Sequence, residues 1–216
     1  MIIREACVES FQEAIRAQEL GAERIELCAR LDLGGITPSY ALIESIKKAL
    51  TIPVMVMIRP RGGDFNYDGM EMNIMRQNIE TCKMIGVTGV VFGILEKSGI
   101  VDLDRIRKMT RIAYPLEVTF HKAIDDTPDP VAAVRDIIAI GGITRLLSSG
   151  GAETAMEGAD VLNKMISEAE NKIIIMPGGK VTKDNLEDIA RKINAREFHG
   201  RKIVGTLSGK KRNQSA

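Results

Sequence analysis

Short apolar stretches follow one another along the chain, and each is succeeded by a longer stretch whose apolar residues recur at helical spacing. The stretches with the pattern of a strand are 2–8, 24–28, 54–58, 88–94, 116–120, 143–148, 173–176 and 197–199. The stretches with the pattern of a helix are 10–20, 37–50, 68–85, 102–113, 129–140, 154–170 and 182–193. Strands that are separated by helices must run parallel. The pattern therefore predicts a parallel α/β fold with eight strands and seven helices.

This count favours one (β/α)8 barrel of the TIM type, a single domain over residues 1–207. The eighth helix is expected to be short or missing, because Gly205 and Gly209 interrupt the stretch after the last strand. Apolar surface beside the eighth and first strands would then need a cover. A second copy of the chain would supply it, so we expect a homo-oligomer, either a dimer or a tetramer.

The composition agrees with one domain, since the chain has 216 residues, of which 44% are hydrophobic. Its 30 basic and 29 acidic residues nearly cancel, which argues against nucleic acid or a membrane surface as partner. The basic tail, residues 208–216, is expected to be disordered. The absence of a signal-peptide pattern and the odd number of cysteines, three, favour a cytoplasmic protein with reduced thiols.

Alternation along each strand predicts which side chains point into the barrel. On three neighbouring strands, a glutamate precedes a sulfur or an imidazole by two residues. These pairs are Glu5 with Cys7, Glu26 with Cys28, and Glu197 with His199. Inward-facing carboxylates at this density need cationic partners or a raised pKa. The candidate partners are Arg4, Arg59, Arg61 and Lys122.

Cys7 and Cys28 end adjacent predicted strands, which lie about 4.8 Å apart, so both sulfurs could reach one metal ion. The same placement would permit a disulfide, and buried cysteines are also often inert core residues. A zinc site is a weaker alternative, with Cys7, Cys28 and His199 as ligands and water as the fourth. His121, the other histidine, is equally consistent with a core residue and with a general acid or base.

A second candidate group follows the third strand, where Arg59, Arg61 and Asp64 lie at the strand end and in a glycine-rich loop. Two further glycine-rich loops follow strands six and seven, and their backbone N–H groups could bind an anion. The candidate anion-binding residues are Arg59, Arg61, Ser149, Gly150, Gly178 and Gly179. The loops are equally consistent with ordinary tight turns.

Seven separated segments of the chain resemble the CutC copper homeostasis proteins. They are 5–7, 21–28, 34–39, 58–65, 118–123, 147–151 and 176–179. The resemblance covers nearly the whole chain and implies a TIM-type barrel, a cytoplasmic location and a role in copper handling. It also implies Cu(I) binding at Cys7 and Cys28. The chain departs from those relatives after His199, where it looks shorter than proteins with a final helix.

Two function hypotheses follow. In the first, the protein is a cytosolic Cu(I)-binding protein that buffers, carries or senses copper, since soft Cu(I) accepts two thiolates. In the second, the barrel is an enzyme of unknown reaction that acts on a small anionic metabolite, a carboxylate or a phosphate, and copper binding is incidental. The candidate catalytic residues of such an enzyme are Glu26, Arg59, Asp64 and His121.

Overall fold

Eight short strands form one parallel sheet in the computed structural model, which describes residues 2–207. The strands are β1 Ile3–Val8, β2 Arg24–Leu27, β3 Val54–Met57, β4 Gly89–Phe92, β5 Glu117–Phe120, β6 Arg145–Ser148, β7 Ile174–Pro177 and β8 Glu197–Gly200. They pair in the order β7-β6-β5-β4-β3-β2-β1-β8. The sheet curls until β7 and β8 lie side by side, although no ladder joins these two strands within the described residues. The predicted TIM-type barrel is therefore confirmed, and it is nearly closed.

Seven helices surround the sheet. They are α1 Phe11–Glu19, α2 Tyr40–Ala49, α3 Gly69–Ile85, α4 Leu103–Ala113, α5 Pro130–Ile140, α6 Ala159–Ala169 and α7 Leu186–Lys192. Side-chain caps fix several of their starts, as where Asp68 and Glu71 form a reciprocal capping box on α3. Among residues 2–207, no helix is long and apolar enough to cross a membrane.

Three helix starts differ from the prediction, and one of them is that of α7, which begins at Leu186 instead of Thr182. The cap of α2 is Ser39 instead of Thr37, because the Thr37 hydroxyl exchanges hydrogen bonds with the backbone of Arg59. Helix α6 begins at Ala159 instead of near Thr154, since Thr154 and Glu157 cap a separate turn.

The chain after β8 forms turns, and no eighth helix is present up to Leu207. Ile203, Val204 and Leu207 are nevertheless buried and pack on the main core. The short or missing eighth helix is thus confirmed for the described part of the chain. The predicted disordered tail, residues 208–216, lies outside the described residues.

Two apolar clusters fill the protein. The larger lies between the strands and the helices, as the alternation predicted. The smaller is inside the barrel and consists of Cys7, Cys28, Met55, Met57 and Val91. The two thiols therefore lie in an apolar layer.

A network of buried salt bridges crosses the barrel interior. Arg24 on β2 bonds Glu5 on β1, and its Nη2 lies 2.5 Å from Glu197 on β8. Arg145 on β6 bonds the same Glu197 through Nε at 2.7 Å, and it also bonds Glu117 on β5. Glu197 thus links β8 to two strands that are not its ladder neighbours.

The predicted partners of the inward carboxylates were wrong. Arg24 and Arg145 take that role, and the four candidates lie elsewhere. Arg4 bonds Glu23, Arg61 bonds Asp64 and Glu71, Lys122 faces Asp125 at 3.6 Å, and Arg59 bonds backbone carbonyls. The sequence did indicate the role of Arg24. It lies two residues before Glu26 on the same strand, so its side chain points to the same inward face.

We expect Arg24→Met to lower the free energy of unfolding by about 3–5 kcal/mol, because it removes the cation that the buried carboxylates of Glu5 and Glu197 share. The matched control is Arg135→Met, which removes an exposed pair with Glu168 and should cost below about 1 kcal/mol. Urea unfolding of both variants measures the difference. Equal losses would contradict a structural role for the network.

Candidate metal site and barrel mouth

Both thiols contact one carboxylate oxygen. The Cys7 Sγ and the Cys28 Sγ are each 3.4 Å from Glu26 Oε2. His199 Nε2 is 3.7 Å from the same oxygen. Two sulfurs and one ring nitrogen therefore lie within 3.7 Å of Glu26 Oε2. The sequence placed these four residues on inward faces, and the fold brings them together.

A carboxylate orients the imidazole of this site. His199 Nδ1 lies 2.8 Å from Glu5 Oε1, so its Nε2 faces the opposite way, toward Glu26 and Cys7. One potential ligand atom from each of Cys7, Glu26 and His199 lies within 4.8 Å of the other two. Carboxylates that hold a histidine by its second nitrogen are typical of metal sites. Sequence reasoning missed this role of Glu5.

The electrostatics of the site give the two thiols very different pKa values. The hydrogen bond from Cys28 and the neighbouring His199 lower the pKa of Cys7 to about 5, although burial opposes this. The same contact with Cys7, together with burial, raises the pKa of the Cys28 thiol well above its usual value. Burial raises the pKa of Glu26 to about 8. At neutral pH the site therefore holds one thiolate, one thiol and a protonated carboxyl group.

The strand register places the two cysteines on a diagonal. Cys7 is level with Glu26, so Cys28 lies two residues farther along β2's direction. A strand spacing of about 4.8 Å and an advance of about 6.6 Å put the two Cα atoms about 8 Å apart. Disulfides need a Cα separation below about 7 Å. All three cysteines are free thiols in this structure, so the possible disulfide between Cys7 and Cys28 is not formed here.

Arg59 follows β3, the strand that pairs with β2, and its side chain holds two loops. Its Nη1 donates to the carbonyls of Leu33 and Gly35, each at 3.2 Å, and its Nη2 donates to Gly63 at 2.6 Å. Gly34 packs against this guanidinium so closely that an added Cβ would lie 3.0 Å from Nη1. Glycine is therefore required there, and Arg59 fixes the loops after β2 and β3.

Arg61 and Asp64 point away from the barrel interior. Arg61 bonds Asp64 at 3.0 Å and Glu71 at 2.5 Å, and the Asp64 side chain is 72% exposed. The catalytic candidates therefore fall into three places. Glu26 is at the thiols, Arg59 and His121 both contact the Phe65 ring, and Asp64 is at the surface.

His121 is buried beside the ring of Phe65, with their ring centres 4.8 Å apart. Its Nδ1 accepts a hydrogen bond from the backbone N–H of Ala123 at 3.2 Å. Burial, reinforced by the charge of Arg59, lowers the pKa of His121 to about 3. The ring is therefore neutral at pH 7 and carries its proton on Nε2.

The glycine-rich loop after β6 binds a carboxylate of the chain itself. The Asp125 carboxylate accepts hydrogen bonds from the N–H of Ser149, the N–H of Gly151 and the hydroxyls of Ser148 and Ser149. Gly150 donates to the Ser148 hydroxyl at 2.8 Å. The donors expected for an external anion at Ser149 and Gly150 are thus engaged internally.

The loop after β7 is engaged in part, because the N–H of Gly178 donates to the carbonyl of Ser148 at 2.8 Å. Gly179 packs on the Ser149 side chain, where an added Cβ would come within 3.0 Å. Anion binding at Gly178 and Gly179 remains a prediction.

We expect the buried His121 to make folding stability fall on acidification. Its unfolded pKa is near 6.5 and its folded pKa is about 3, so the unfolded state binds more protons in that window. Stability contributed by the neutral ring is therefore present above pH 6.5 and is lost as the pH falls toward 3. His121→Asn keeps an acceptor for Ala123, and it should reduce the slope of unfolding free energy against pH by up to about 1.4 kcal/mol per unit. Urea unfolding between pH 7 and 5 measures it, and an unchanged slope would contradict the assignment.

Comparisons with known proteins group this chain with one family. The family model described as the CutC family matches residues 2–204. The human protein named copper homeostasis protein cutC homolog is 42% identical over 197 residues, which are 91% of this chain and 72% of that protein. A CutC family protein of Xylella fastidiosa is 41% identical over 195 residues, 90% of this chain and 73% of that one.

Solved structures also relate this chain to the CutC family. The crystal structure described as a CutC copper homeostasis protein from Streptococcus agalactiae superposes with a TM-score of 0.89 at 34% identity. The match covers 94% of this chain and all of that one. A Rubisco-like protein from Rhodopseudomonas palustris has a TM-score of 0.65 at 16% identity over 93% of this chain and 59% of that one, and this likeness shows the barrel fold alone.

Proposed function

Because this chain belongs to the CutC family, we propose that it is a copper homeostasis protein that binds Cu(I) through Cys7 and Cys28. The observation that carries the proposal is the placement of both sulfurs 3.4 Å from one point inside the barrel mouth. Cu(I) is a soft ion that two thiolates can hold. The diagonal register favours an ion between these sulfurs over a direct bond between them.

The residues around the sulfurs fit a soft ion that arrives as cargo. Cys7 is already the more acidic thiol, since its pKa is lowered to about 5, and His199 lies beside it as a positive charge. Cys28 must lose its proton to become a ligand, and because the carboxyl group of Glu26 beside it is itself protonated, that proton leaves the site when the ion binds. Glu26 Oε2 contacts both sulfurs, so its side chain has to move aside or join the ligands when the ion enters.

The apolar surroundings of the two sulfurs limit the exchange of a bound ion with the solvent. Cys7 is 7% exposed and Cys28 is 1% exposed, and Met55, Met57 and Val91 pack beside them. A bound ion would therefore be shielded from water and from other thiols. Such a site suits buffering or sensing of copper, or its transfer to a partner that opens the mouth. We place the protein in the cytoplasm, where thiols remain reduced.

We expect Cys7→Ala and Cys28→Ala each to weaken Cu(I) binding by at least about 100-fold, since each removes one of two thiolates. Cys82→Ala is the matched control, because this third buried thiol lies on α3 and outside the sulfur cluster. Competition with a Cu(I) chelator under reducing conditions measures the affinities. Equal affinities in all three variants and the parent would contradict the two-cysteine site.

Zinc is the alternative metal, and His199 is the residue that favours it. A zinc ion would take Cys7, His199 and Glu26 as ligands with Cys28 or water as the fourth, because Zn²⁺ binds nitrogen, oxygen and sulfur donors. In the same competition experiment, tighter binding of Zn²⁺ than of Cu(I), abolished by His199→Gln, would establish zinc.

A second candidate function is an enzyme, and one arrangement favours it. The Glu5 carboxylate holds His199, and His199 lies beside Cys7, which is a geometry that activates a thiol as a nucleophile. The substrate class would be a small anionic metabolite. Turnover that persists after copper is removed by chelation, and that is lost in Cys7→Ala, would favour this function over copper binding.

We also propose that the protein is a homo-oligomer. Ile2 and Ile174 are exposed at 37% and 36% near the start of β1 and β7, where no eighth helix covers the barrel up to Leu207. Light scattering at micromolar concentration should give a mass of at least twice 23.7 kDa. Ile174→Lys should shift the mass toward the monomer. A monomeric parent protein would contradict the proposal.

A further inference from the structure

Arg59 is a buried cation without an anionic partner. Three arginines are buried in the described residues, and two of them, Arg24 and Arg145, bond carboxylates. Arg59 is 5% exposed, and no carboxylate of residues 2–207 lies within 4 Å of its nitrogens. Its terminal nitrogens donate only to backbone carbonyls, and its Nε–H has no partner. A buried charge of this kind normally has a counterion.

Within the described part of the chain, three other buried groups that can donate also lack a partner. The Tyr67 hydroxyl, the Thr119 hydroxyl and His121 Nε2 are buried and have no hydrogen-bond partner in the described structure. His121 Nε2 carries a proton, because its Nδ1 accepts from Ala123. All three groups can therefore donate, as Arg59 Nε–H can.

The contacts bring these groups to one wall of the mouth. The Phe65 ring lies 4.7 Å from the Arg59 guanidinium carbon and 4.8 Å from the centre of the His121 ring. Burial raises the pKa of Tyr67 to about 12, while Arg59 is close enough to oppose that rise. Thr119 precedes His121 by two residues on β5, so it shares the inward face. This wall adjoins the thiol wall on β1, β2 and β8, since β3 pairs with β2.

We propose that Arg59, Tyr67 and His121 bind the carboxylate group of a small organic acid, with Thr119 as an additional donor. One carboxylate matches the single unbalanced positive charge and accepts from several donors at once. Water could satisfy the neutral donors, but it would not neutralise Arg59. A phosphate group suits the site less, because its charge of about −1.5 to −2 exceeds the single positive charge of Arg59.

The Phe65 ring determines access to this site. It stacks on Arg59 and belongs to the loop that begins with Gly62 and Gly63, and Gly63 has a left-handed backbone with φ of 84°. Entry of a carboxylate requires the ring to turn away from the guanidinium. The ligand would then lie between the cation of β3 and the neutral imidazole of β5.

The test is a titration of ¹⁵N-labelled, metal-free protein with acetate and pyruvate, followed through the Nε–H signal of Arg59. Inorganic phosphate and chloride at equal ionic strength are the comparison anions. Both carboxylates should shift the signal to saturation, and phosphate and chloride should not. The absence of saturable binding by either carboxylate would overturn the proposal, as would equal binding of all four anions.

The decisive variant is Tyr67→Phe, which removes only an unpartnered hydroxyl. The unliganded protein should keep or gain thermal stability, whereas acetate binding should weaken about tenfold. Tyr40→Phe is the matched control, since its hydroxyl is on α2 and bonds Glu44 at the surface. Wild-type acetate affinity in Tyr67→Phe would overturn the assignment. Substitution of Arg59 is unsuitable as the main test, because it would also release the two loops.

Discussion

The buried salt bridges of Arg24 and Arg145 are the constraint on which the rest of this barrel depends. Strand β8 has a ladder with β1, but none with β7 in residues 2–207. Glu197 lies at the start of β8 and accepts hydrogen bonds from both arginines, which come from β2 and β6. The ion pairs therefore hold the last strand from inside, across the seam where backbone pairing is missing. Such a network is costly to desolvate and is stable only when every member is present.

The same network extends to the thiols. Arg24 bonds Glu5, and the other oxygen of Glu5 holds the imidazole of His199. His199 in turn lies next to Glu26 and Cys7. The orientation of a potential metal ligand is thus fixed by a carboxylate that also holds the fold together. A copper-binding role alone did not explain why so many charges are buried here, and their position below the site supplies the reason.

The barrel mouth has two walls of different chemistry. The wall of β1, β2 and β8 carries two sulfurs, an imidazole and a carboxyl group, which suit a soft cation. The wall of β3 and β5 carries Arg59 and donors without acceptors, which suit an anion. Met55, Met57 and Val91 belong to the apolar layer beside the thiols. The glycine-rich loop after β6, which looked like an anion site, instead anchors the turn after β5 through Asp125.

The sequence alone determined the architecture and the composition of the inward faces. Helical spacing and strand alternation are local patterns, so they located eight strands, seven helices and, up to Leu207, the absence of an eighth helix. The period of two along a strand also placed Cys7, Glu26, Cys28 and His199 inside the barrel.

Only the tertiary structure decided which inward groups meet. The two-residue offset between Cys7 and Cys28 depends on the register of β1 against β2, which no local pattern fixes. The bond between Arg24 and Glu197 joins opposite ends of the chain, and Asp125 reaches a loop that follows the next strand. The alternation along a strand predicts that a side chain points inward. Which residue it then contacts depends on the stagger of the strands and the closure of the whole barrel.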